Sequence, residues 1–231
     1  MAKVPYNQPM EQPSASESFA DLTVSQFVES LSTAEPVPGG GSASAVAAAL
    51  GASLISMVAA LSMGKPKYAA HELTLARCEA VGRELGAEFL RLADRDAEAY
   101  SGYSAALKLP RETEGQQEAR KAAVQKAARG AAEAPWACVK ACARLAVAAE
   151  ALAGRSNVNA ASDVLVAALL GEAAARGAAE NVLINLPSIG DEPYSDAMRN
   201  RVDSELHEIA ATVARTREIV LSGQSQDPEP A

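Results

Sequence analysis

The chain has 231 residues, a formal net charge of −8 and a sequence pI of about 4.9. A negative overall field repels nucleic-acid backbones and anionic membrane surfaces, so we expect neither nucleic acid nor membrane as a partner. Aromatic residues make up 4% of the chain, and no segment has the alternating β-branched pattern of a strand, so we predict an all-α fold.

Both ends of the chain are predicted to be flexible tails around one domain. Residues 1–18 and 222–231 are polar and contain proline, with too few apolar side chains to offset the entropy lost on ordering. The first tail lacks the apolar core of a signal peptide, which favours a cytoplasmic protein. Residues 19–221 form the domain, and its three cysteines have no metal-ligand spacing. We expect reduced core thiols at Cys78, Cys138 and Cys142.

Hydrophobic spacing and proline or glycine stops predict a multi-helix bundle inside this domain. In chain order, the predicted helices cover residues 22–32, 42–62, 69–108, 112–153, 159–176, 178–186 and 194–221. Pro135 lies inside the fourth of these helices and is expected to kink or split it.

The second predicted helix has no charged residue between Ser42 and Ser62 and is long enough to cross a membrane. Its many alanine, serine and glycine residues contribute little transfer free energy, which favours a buried central helix over a membrane-spanning one. Small residues at Ser44, Ala47 and Gly51 allow neighbouring helices to approach closely. We therefore expect a tightly packed bundle centre.

One face of the third predicted helix is an apolar seam interrupted by a single acid. Its members, spaced three or four residues apart, are Leu85, Phe89, Leu92, Asp96, Ala99, Tyr103 and Ala106. A buried, unpaired carboxylate is costly and shifts its pKa upward. Asp96 is therefore either satisfied by a buried partner or kept for a chemical task. The alternative is a slightly rotated helix on which Asp96 pairs at the surface with Arg95 or a lysine. The pattern alone leaves both interpretations open.

Two polar pairs with a spacing of four residues follow later in the chain. Asn159 and Asp163 place an amide and a carboxylate on one helix face, and Asn181 and Asn185 place two amides there. Such groups can bind the edge of a planar polar ligand. The alternative is ordinary helix-end chemistry, in which Asn159 or Ser162 caps a helix and the later pair ends one.

The turn formed by Pro38, Gly39, Gly40, Gly41 and Ser42 leads directly into the uncharged helix. Its glycines allow close backbone approach, and the first free N–H groups of a helix can bind an anion. Neither the Walker spacing nor the strand that precedes a dinucleotide fingerprint is present. A tight turn capped by Ser42 is the alternative.

A small cationic group follows the far end of the same helix. Lys65, Lys67 and Tyr68 lie there in an otherwise acidic protein, and plain solvation is the alternative to a binding role. His71 and His207 are isolated and belong to no metal-binding pattern, so we expect no metal.

Six segments, taken together and in order, point to one family. They are EPVPGGGSASA, SMVAALSMGKPKY, DAEAYSGYSAALKLP, AAEAP, NVNAASD and ENVLIN. The chain resembles the formiminotransferase-cyclodeaminase C-terminal domain and its stand-alone bacterial relatives, the methenyltetrahydrofolate cyclohydrolases. The resemblance covers residues 20–221 and implies an all-helical dimer that binds a tetrahydrofolate derivative as substrate, with no bound cofactor. The family's motif positions fall on Pro38, Gly39, Gly40, Gly41, Ser42, Lys65, Lys67, Tyr68, Asp96, Tyr100, Asn159, Asp163, Asn181 and Asn185.

The resemblance implies hydrolysis of 5,10-methenyltetrahydrofolate to 10-formyltetrahydrofolate. The first alternative is a cyclodeaminase that converts 5-formiminotetrahydrofolate to the methenyl form plus ammonia, and the second is a non-catalytic folate-binding helical dimer. We expect no fused formiminotransferase beside these 231 residues, which favours the cyclohydrolase. Both reactions pass through a tetrahedral carbon between N5 and N10 and need a proton acceptor and a proton donor.

The same resemblance suggests a role for each group of residues. We expect Asp96 to transfer the proton, with Asp163 as the second acid or as the partner of the pterin's amino-pyrimidine edge. The asparagines would orient the heterocycle, while Ser42 and the glycine backbone would hold the p-aminobenzoyl region or a water. Lys65 and Lys67 would attract the glutamate carboxylates, although Pro66 lies where the family commonly has a lysine.

Overall fold

The computed structural model describes residues 18–228. Its α-helices are, in chain order, α1 Val24–Leu31, α2 Gly40–Ser62, α3 Glu72–Leu107, α4 Glu114–Leu152, α5 Ala161–Asn185 and α6 Glu192–Ser222. Short 3-10 helices occupy Phe19–Asp21, Pro66–His71, Val158–Ala160 and Leu186–Ser188. No strand occurs among the described residues, so the prediction of an all-α multi-helix bundle is confirmed.

The helix α2 lies at the centre of the bundle and packs against α3, α4 and α5. Glycines allow these close approaches. A Cβ on Gly82 of α3 would lie only 2.7 Å from the Ala52 oxygen and the Ser56 nitrogen, and one on Gly51 would lie 3.0 Å from the Ala167 oxygen of α5. The expectation of a tightly packed centre built on small residues is therefore correct.

The helices α2 and α5 run antiparallel. Gly177 of α5 faces Ser44 near the start of α2 so closely that any Cβ on Gly177 would overlap the Ser44 hydroxyl. At the opposite end, the Asn157 amide donates a 2.8 Å hydrogen bond to Ser62 Oγ, just before α5 begins. The last turns of α5 thus lie beside the glycine turn, and the first turn of α5 lies beside the end of α2.

One predicted boundary was wrong, and one of the two alternatives at Pro135 is excluded. The fourth predicted helix is not split, because α4 continues through Pro135 to Leu152. The fifth and sixth predicted segments form one helix, α5, which passes through Gly177. Gly177 serves the close approach to Ser44 and does not mark a helix end, and sequence spacing alone cannot separate these two uses of glycine.

The described residues include all three cysteines and most of the second predicted tail. None of the three cysteines forms a disulfide and all three are buried, as expected. Residues 1–17 and 229–231 lie outside the described residues. Within the second predicted tail, the Gln226 amide donates a 3.0 Å hydrogen bond to the Gly154 oxygen, so this segment contacts the turn after α4 instead of extending freely.

Two segments, Gly40–Ser62 and Val158–Ser188, are long and apolar enough to span a membrane by length and composition alone. In the bundle, 50% and 39% of their most apolar windows are buried. Core helices of globular proteins pass the same test because they too are apolar over most of their surface. The outward face of α2 remains exposed and carries Leu50, Met57 and Leu61.

Candidate active site at the start of α2

The glycine turn provides the space for an acid. Gly39 is the N-cap of α2 and has an extended backbone, and α2 begins at Gly40. The carboxyl group of Asp96, which α3 supplies, lies directly over Gly41. A Cβ on Gly41 would overlap Cγ and both carboxylate oxygens of Asp96. Only glycine at this position leaves room for the acid.

Ser42 lies beneath the acid and holds it in place. Its side chain is fully buried, with Oγ 3.0 Å from the Ala93 oxygen and 3.3 Å from Asp96 Oδ2, so the hydroxyl can donate to either acceptor. The Ser42 backbone also hydrogen-bonds to the Asp96 carboxylate. Ser42 therefore does not cap α2, and its side chain contacts the acid; its expected role in holding the p-aminobenzoyl region or a water stays a prediction.

A cavity of about 170 Å³ opens in front of Asp96. It is lined by Pro36, Val37, Gly39, Gly40, Asp96, Ala97, Tyr100, Ala131, Asn181 and Asn185. The structure thus brings together the glycine turn from α2, the acid and Tyr100 from α3, and the amide pair from the end of α5. The Tyr100 side chain is 42% exposed and lies at the mouth of the cavity.

The electrostatics of Asp96 suit proton transfer. Burial raises the pKa of its carboxyl above the ordinary value of 3.8, and hydrogen bonds from the Ser42 side chain and backbone offset part of that rise. Its hydrogen-bond partner is Ser42, which favours the interpretation with a buried partner over a surface pair with Arg95. A carboxyl whose pKa is raised toward neutrality can both accept and return a proton.

The amides of Asn181 and Asn185 are fixed by backbone oxygens. Asn181 Nδ2 donates to the Gly177 oxygen over 2.9 Å. Asn185 Nδ2 donates to the Asn181 oxygen over 2.7 Å and to the Ala131 oxygen over 3.2 Å. Because the nitrogens of both side chains are engaged, their oxygens remain as acceptors for N–H donors of a ligand.

The lysine group lies far from this cavity within one chain. Lys65 and Lys67 follow the end of α2, and a helix of 23 residues is about 34 Å long. The Lys67 ammonium lies 5.4 Å from the centre of the Tyr68 ring. Tyr68 itself is 8% exposed, and its hydroxyl accepts a 3.2 Å hydrogen bond from the Val158 amide. Tyr68 thus anchors this corner of the bundle.

Asn159 and Asp163 lie at the same distant end. Asn159 belongs to the 3-10 helix Val158–Ala160, and its amide donates to the Asn157 side chain. The N-cap of α5 is Ala160, which makes no side-chain cap, so the alternative in which Asn159 or Ser162 caps this helix is wrong. Asp163 lies in the first turn of α5 and therefore does not share the cavity of Asp96 within one chain.

The sequence patterns did not indicate four of the residues that line the cavity. Pro36 and Val37 precede the glycine turn, and Ala131 comes from α4. Ala97 follows the acid directly. The first two belong to the glycine motif quoted above and were within reach of the sequence. Ala131 carries no chemical signal, since only its backbone oxygen acts, as the acceptor for Asn185.

The cavity on this all-α bundle combines an acid with a raised pKa, a buried hydroxyl that holds the acid, and two side-chain amides, which are groups that proton transfer on a bound ligand requires. A sequence model described as Formiminotransferase-cyclodeaminase matches residues 23–204, so the chain belongs to the formiminotransferase-cyclodeaminase family. The resemblance seen in the six sequence segments is confirmed, and the chain is an enzyme.

Individual relatives agree with this family. The methenyltetrahydrofolate cyclohydrolase of Methylorubrum extorquens is 34% identical over 200 residues, which cover 87% of this chain and 96% of that protein. The formimidoyltransferase-cyclodeaminase of Rattus norvegicus is 33% identical over 198 residues, which cover 86% of this chain but 37% of that protein. A crystal structure of formiminotetrahydrofolate cyclodeaminase from Thermotoga maritima has a TM-score of 0.80 at 29% identity, covering 88% of this chain and 98% of that chain.

Proposed function

We propose that this enzyme acts in folate one-carbon metabolism and hydrolyses 5,10-methenyltetrahydrofolate to 10-formyltetrahydrofolate. The observation that carries the proposal is the Asp96 carboxyl, seated over Gly41 and facing the cavity. The relative from Methylorubrum extorquens supports it, because that protein is named a methenyltetrahydrofolate cyclohydrolase and matches over 96% of its length.

One acid can perform both proton transfers of this reaction. Water adds to the cationic carbon between N5 and N10, and ionised Asp96 accepts a proton from that water. The bond from the carbon to N5 then breaks as Asp96 returns the proton to N5. The hydroxyl left on the carbon loses its proton to solvent, which leaves a formyl group on N10. The carboxylate also stabilises the positive charge of the substrate before attack.

The remaining cavity residues orient the substrate. The oxygens of Asn181 and Asn185 accept hydrogen bonds from the N–H groups of the pterin edge. Tyr100 offers a partly exposed ring at the mouth for the aromatic parts of the folate. Gly39 and Gly40 have no side chains of their own, so their backbones allow the p-aminobenzoyl region to approach closely.

The second candidate is formimidoyltetrahydrofolate cyclodeaminase activity, a lyase reaction that releases ammonia. The structural neighbour from Thermotoga maritima favours it, because that chain is named a formiminotetrahydrofolate cyclodeaminase. The reaction needs the same acid, which would protonate the departing nitrogen as the ring closes. The fold and the cavity serve either reaction.

The proposal also covers the oligomeric state and the cellular location of the enzyme. We propose a homodimer that works in the cytoplasm, binds no cofactor, metal, nucleic acid or membrane, and takes a folate as its small-molecule partner. The exposed apolar face of α2 supports the dimer, since contiguous apolar surface marks interaction sites.

Parallel assays on the purified protein test the choice of reaction. We would follow the loss of 5,10-methenyltetrahydrofolate absorbance, and separately ammonia release from 5-formiminotetrahydrofolate, each corrected for uncatalysed decay. Fast hydrolysis without ammonia release supports the cyclohydrolase. The opposite pattern assigns the cyclodeaminase, and no turnover of either folate refutes both and favours a non-catalytic folate-binding dimer.

A further inference from the structure

A second cavity, of about 190 Å³, lies at the opposite end of α3 from Asp96. His71, the N-cap of α3, lines this cavity, and Asp96 lies about 37 Å further along the same helix. Among residues 18–228, no residue lines both cavities. The end of α6 forms one of its walls, and we call it the α6 cavity.

The walls of the α6 cavity come from several parts of the chain. The 3-10 helix Pro66–His71 forms one side, and the turn after α4 forms another. Apolar side chains around the start of α5 and at the end of α6 make up much of the remaining lining, namely Val158, Ala161, Val164, Ile219 and Val220. This wall favours a ligand that has an aliphatic body.

The segment after α6, residues 223–228, closes the cavity and is held by the turn after α4. The Gln226 amide donates to the Gly154 oxygen over 3.0 Å, and Arg155 Nε donates to the Asp227 oxygen over 2.6 Å. Gly154 has a φ of +71°, and a Cβ there would lie only 2.7 Å from Gln226 Cγ. Glycine at position 154 therefore allows both the turn and the close approach of the segment, which forms a fixed wall.

The charges around the α6 cavity favour an anion. Lys67 lines it, whereas Lys65 does not, and none of its lining residues among the described part of the chain carries a carboxylate. The Lys67 ammonium lies 5.4 Å from the centre of the Tyr68 ring, and Tyr68 is itself part of the lining. A negatively charged group in the cavity thus meets a cation and no like charge.

His71 supplies a hydrogen-bond donor to the same cavity. Its Nδ1 is buried and has no hydrogen-bond partner among the described residues. A hydrogen on Nδ1 would be a buried, unpaired donor, which favours the neutral tautomer that carries its hydrogen on Nε2. Gln224 and Ser225 add an amide and a hydroxyl from the closing segment. The cavity therefore combines one cation, several donors and an apolar wall.

We propose that the α6 cavity binds a small aliphatic monocarboxylate, with the carboxylate beside Lys67 and His71 and the hydrocarbon chain against the apolar wall. The cavity has the volume of about six water molecules in the liquid, which suits an acid of about five or six carbons. Inorganic phosphate has the charge but would leave the apolar wall uncovered. The inference goes beyond the reaction at Asp96 and does not depend on it, because the two cavities are separate.

Isocaproate, a branched acid of this size, is the test ligand. Isothermal titration of the wild-type protein should show one site per chain with a Kd below about 1 mM. The neutral isostere isocaproamide and inorganic phosphate should each bind at least about tenfold more weakly, because each lacks one of the two features that the cavity recognises. Equal affinity for either compound, or no binding of isocaproate up to about 10 mM, would overturn the proposal.

Two substitutions test the recognition of the acid. His71→Phe keeps a ring but removes both nitrogens, and Ile219→Trp fills the apolar side of the cavity. Each should weaken isocaproate binding at least about tenfold, with circular dichroism as the check that the variant is folded. The matched control is Leu221→Trp, at a residue of α6 that is 69% exposed and does not line the cavity. Wild-type affinity in a folded His71→Phe and a folded Ile219→Trp would contradict the assignment.

Amide resonances locate the ligand without a substitution. In NMR spectra of isotopically labelled wild-type protein, isocaproate should shift the amide signals of Gly154 and Gly223, which line the α6 cavity. The signals of Gly39 and Gly40, which line the Asp96 cavity, should stay in place. Shifts at Gly39 and Gly40 instead, or tighter binding to Asp96→Asn because a like charge is gone, would place the acid in the other cavity and overturn the proposal.

Discussion

Replacing Gly41 by alanine removes the space that the Asp96 carboxyl occupies. The new Cβ would overlap three atoms of the acid, so the carboxyl must rotate away from Ser42 and from its position at the cavity. Alanine favours a helix over glycine by about 1 kcal/mol, whereas overpacking costs about 1–3 kcal/mol. The net loss of stability is about 0–2 kcal/mol, which lowers Tm by no more than about 8 °C for a chain of this size.

Gly41→Ala should reduce turnover far more than it reduces stability. General acid–base catalysis contributes about 10²–10⁴-fold, and we expect Gly41→Ala to lose at least about tenfold in kcat. The matched control is Gly102→Ala, in the same helix as Asp96, where a new Cβ has no neighbour within 4 Å. It should gain up to about 1 kcal/mol in stability and keep its turnover. The assay is methenyltetrahydrofolate hydrolysis with thermal unfolding in parallel, and a folded Gly41→Ala with wild-type kcat would refute the reasoning.

Three further predictions concern the acid, its hydrogen-bond partner and an amide that lines the cavity. Burial raises the pKa of Asp96 in the folded protein above its value in the unfolded chain. The protonated carboxyl therefore contributes its full share to the free energy of unfolding below the unfolded pKa, and this contribution is lost as pH rises through the folded pKa. Between pH 4 and pH 7, the free energy of unfolding of the wild type should fall relative to that of Asp96→Asn; a constant difference between the two proteins would contradict this. Ser42→Ala removes a hydrogen bond that lowers the pKa of Asp96, so the acidic limb of the pH–rate profile should move to higher pH. The control is Ser53→Ala, which removes a hydroxyl that donates to the Ala49 oxygen within α2 and should leave the profile unchanged. Asn185→Ala should raise KM about tenfold by removing a ligand acceptor, and an unchanged KM would exclude that contact.

The helical class and the acid on the seam were within reach of the sequence. The low aromatic content, the absence of strand patterns and the spacing of apolar residues in α3 predicted them, because local periodicity carries that information. The continuity of α5 was not within reach, since Gly177 has the same local signal whether it ends a helix or allows Ser44 to approach.

The contacts that make the site are long-range and escape local patterns. Ser42 and Asp96 are 54 positions apart, and their hydrogen bond depends on how α2 and α3 pack. The purpose of Gly41 follows only from that contact. The sequence placed the glycine turn and the lysine group at opposite ends of α2, but it could not assign Asn159, Asp163, Asn181 and Asn185 to either end, because motif order along the chain contains no distance.

The most direct test of the account compares wild type and Asp96→Asn in methenyltetrahydrofolate hydrolysis at saturating substrate, with circular dichroism as a check on folding. The account predicts rapid wild-type turnover and a loss of at least about a hundredfold in a fully helical Asp96→Asn, because the proton acceptor is gone while its shape remains. Near-normal turnover in that variant would remove Asp96 from the mechanism and contradict the central claim.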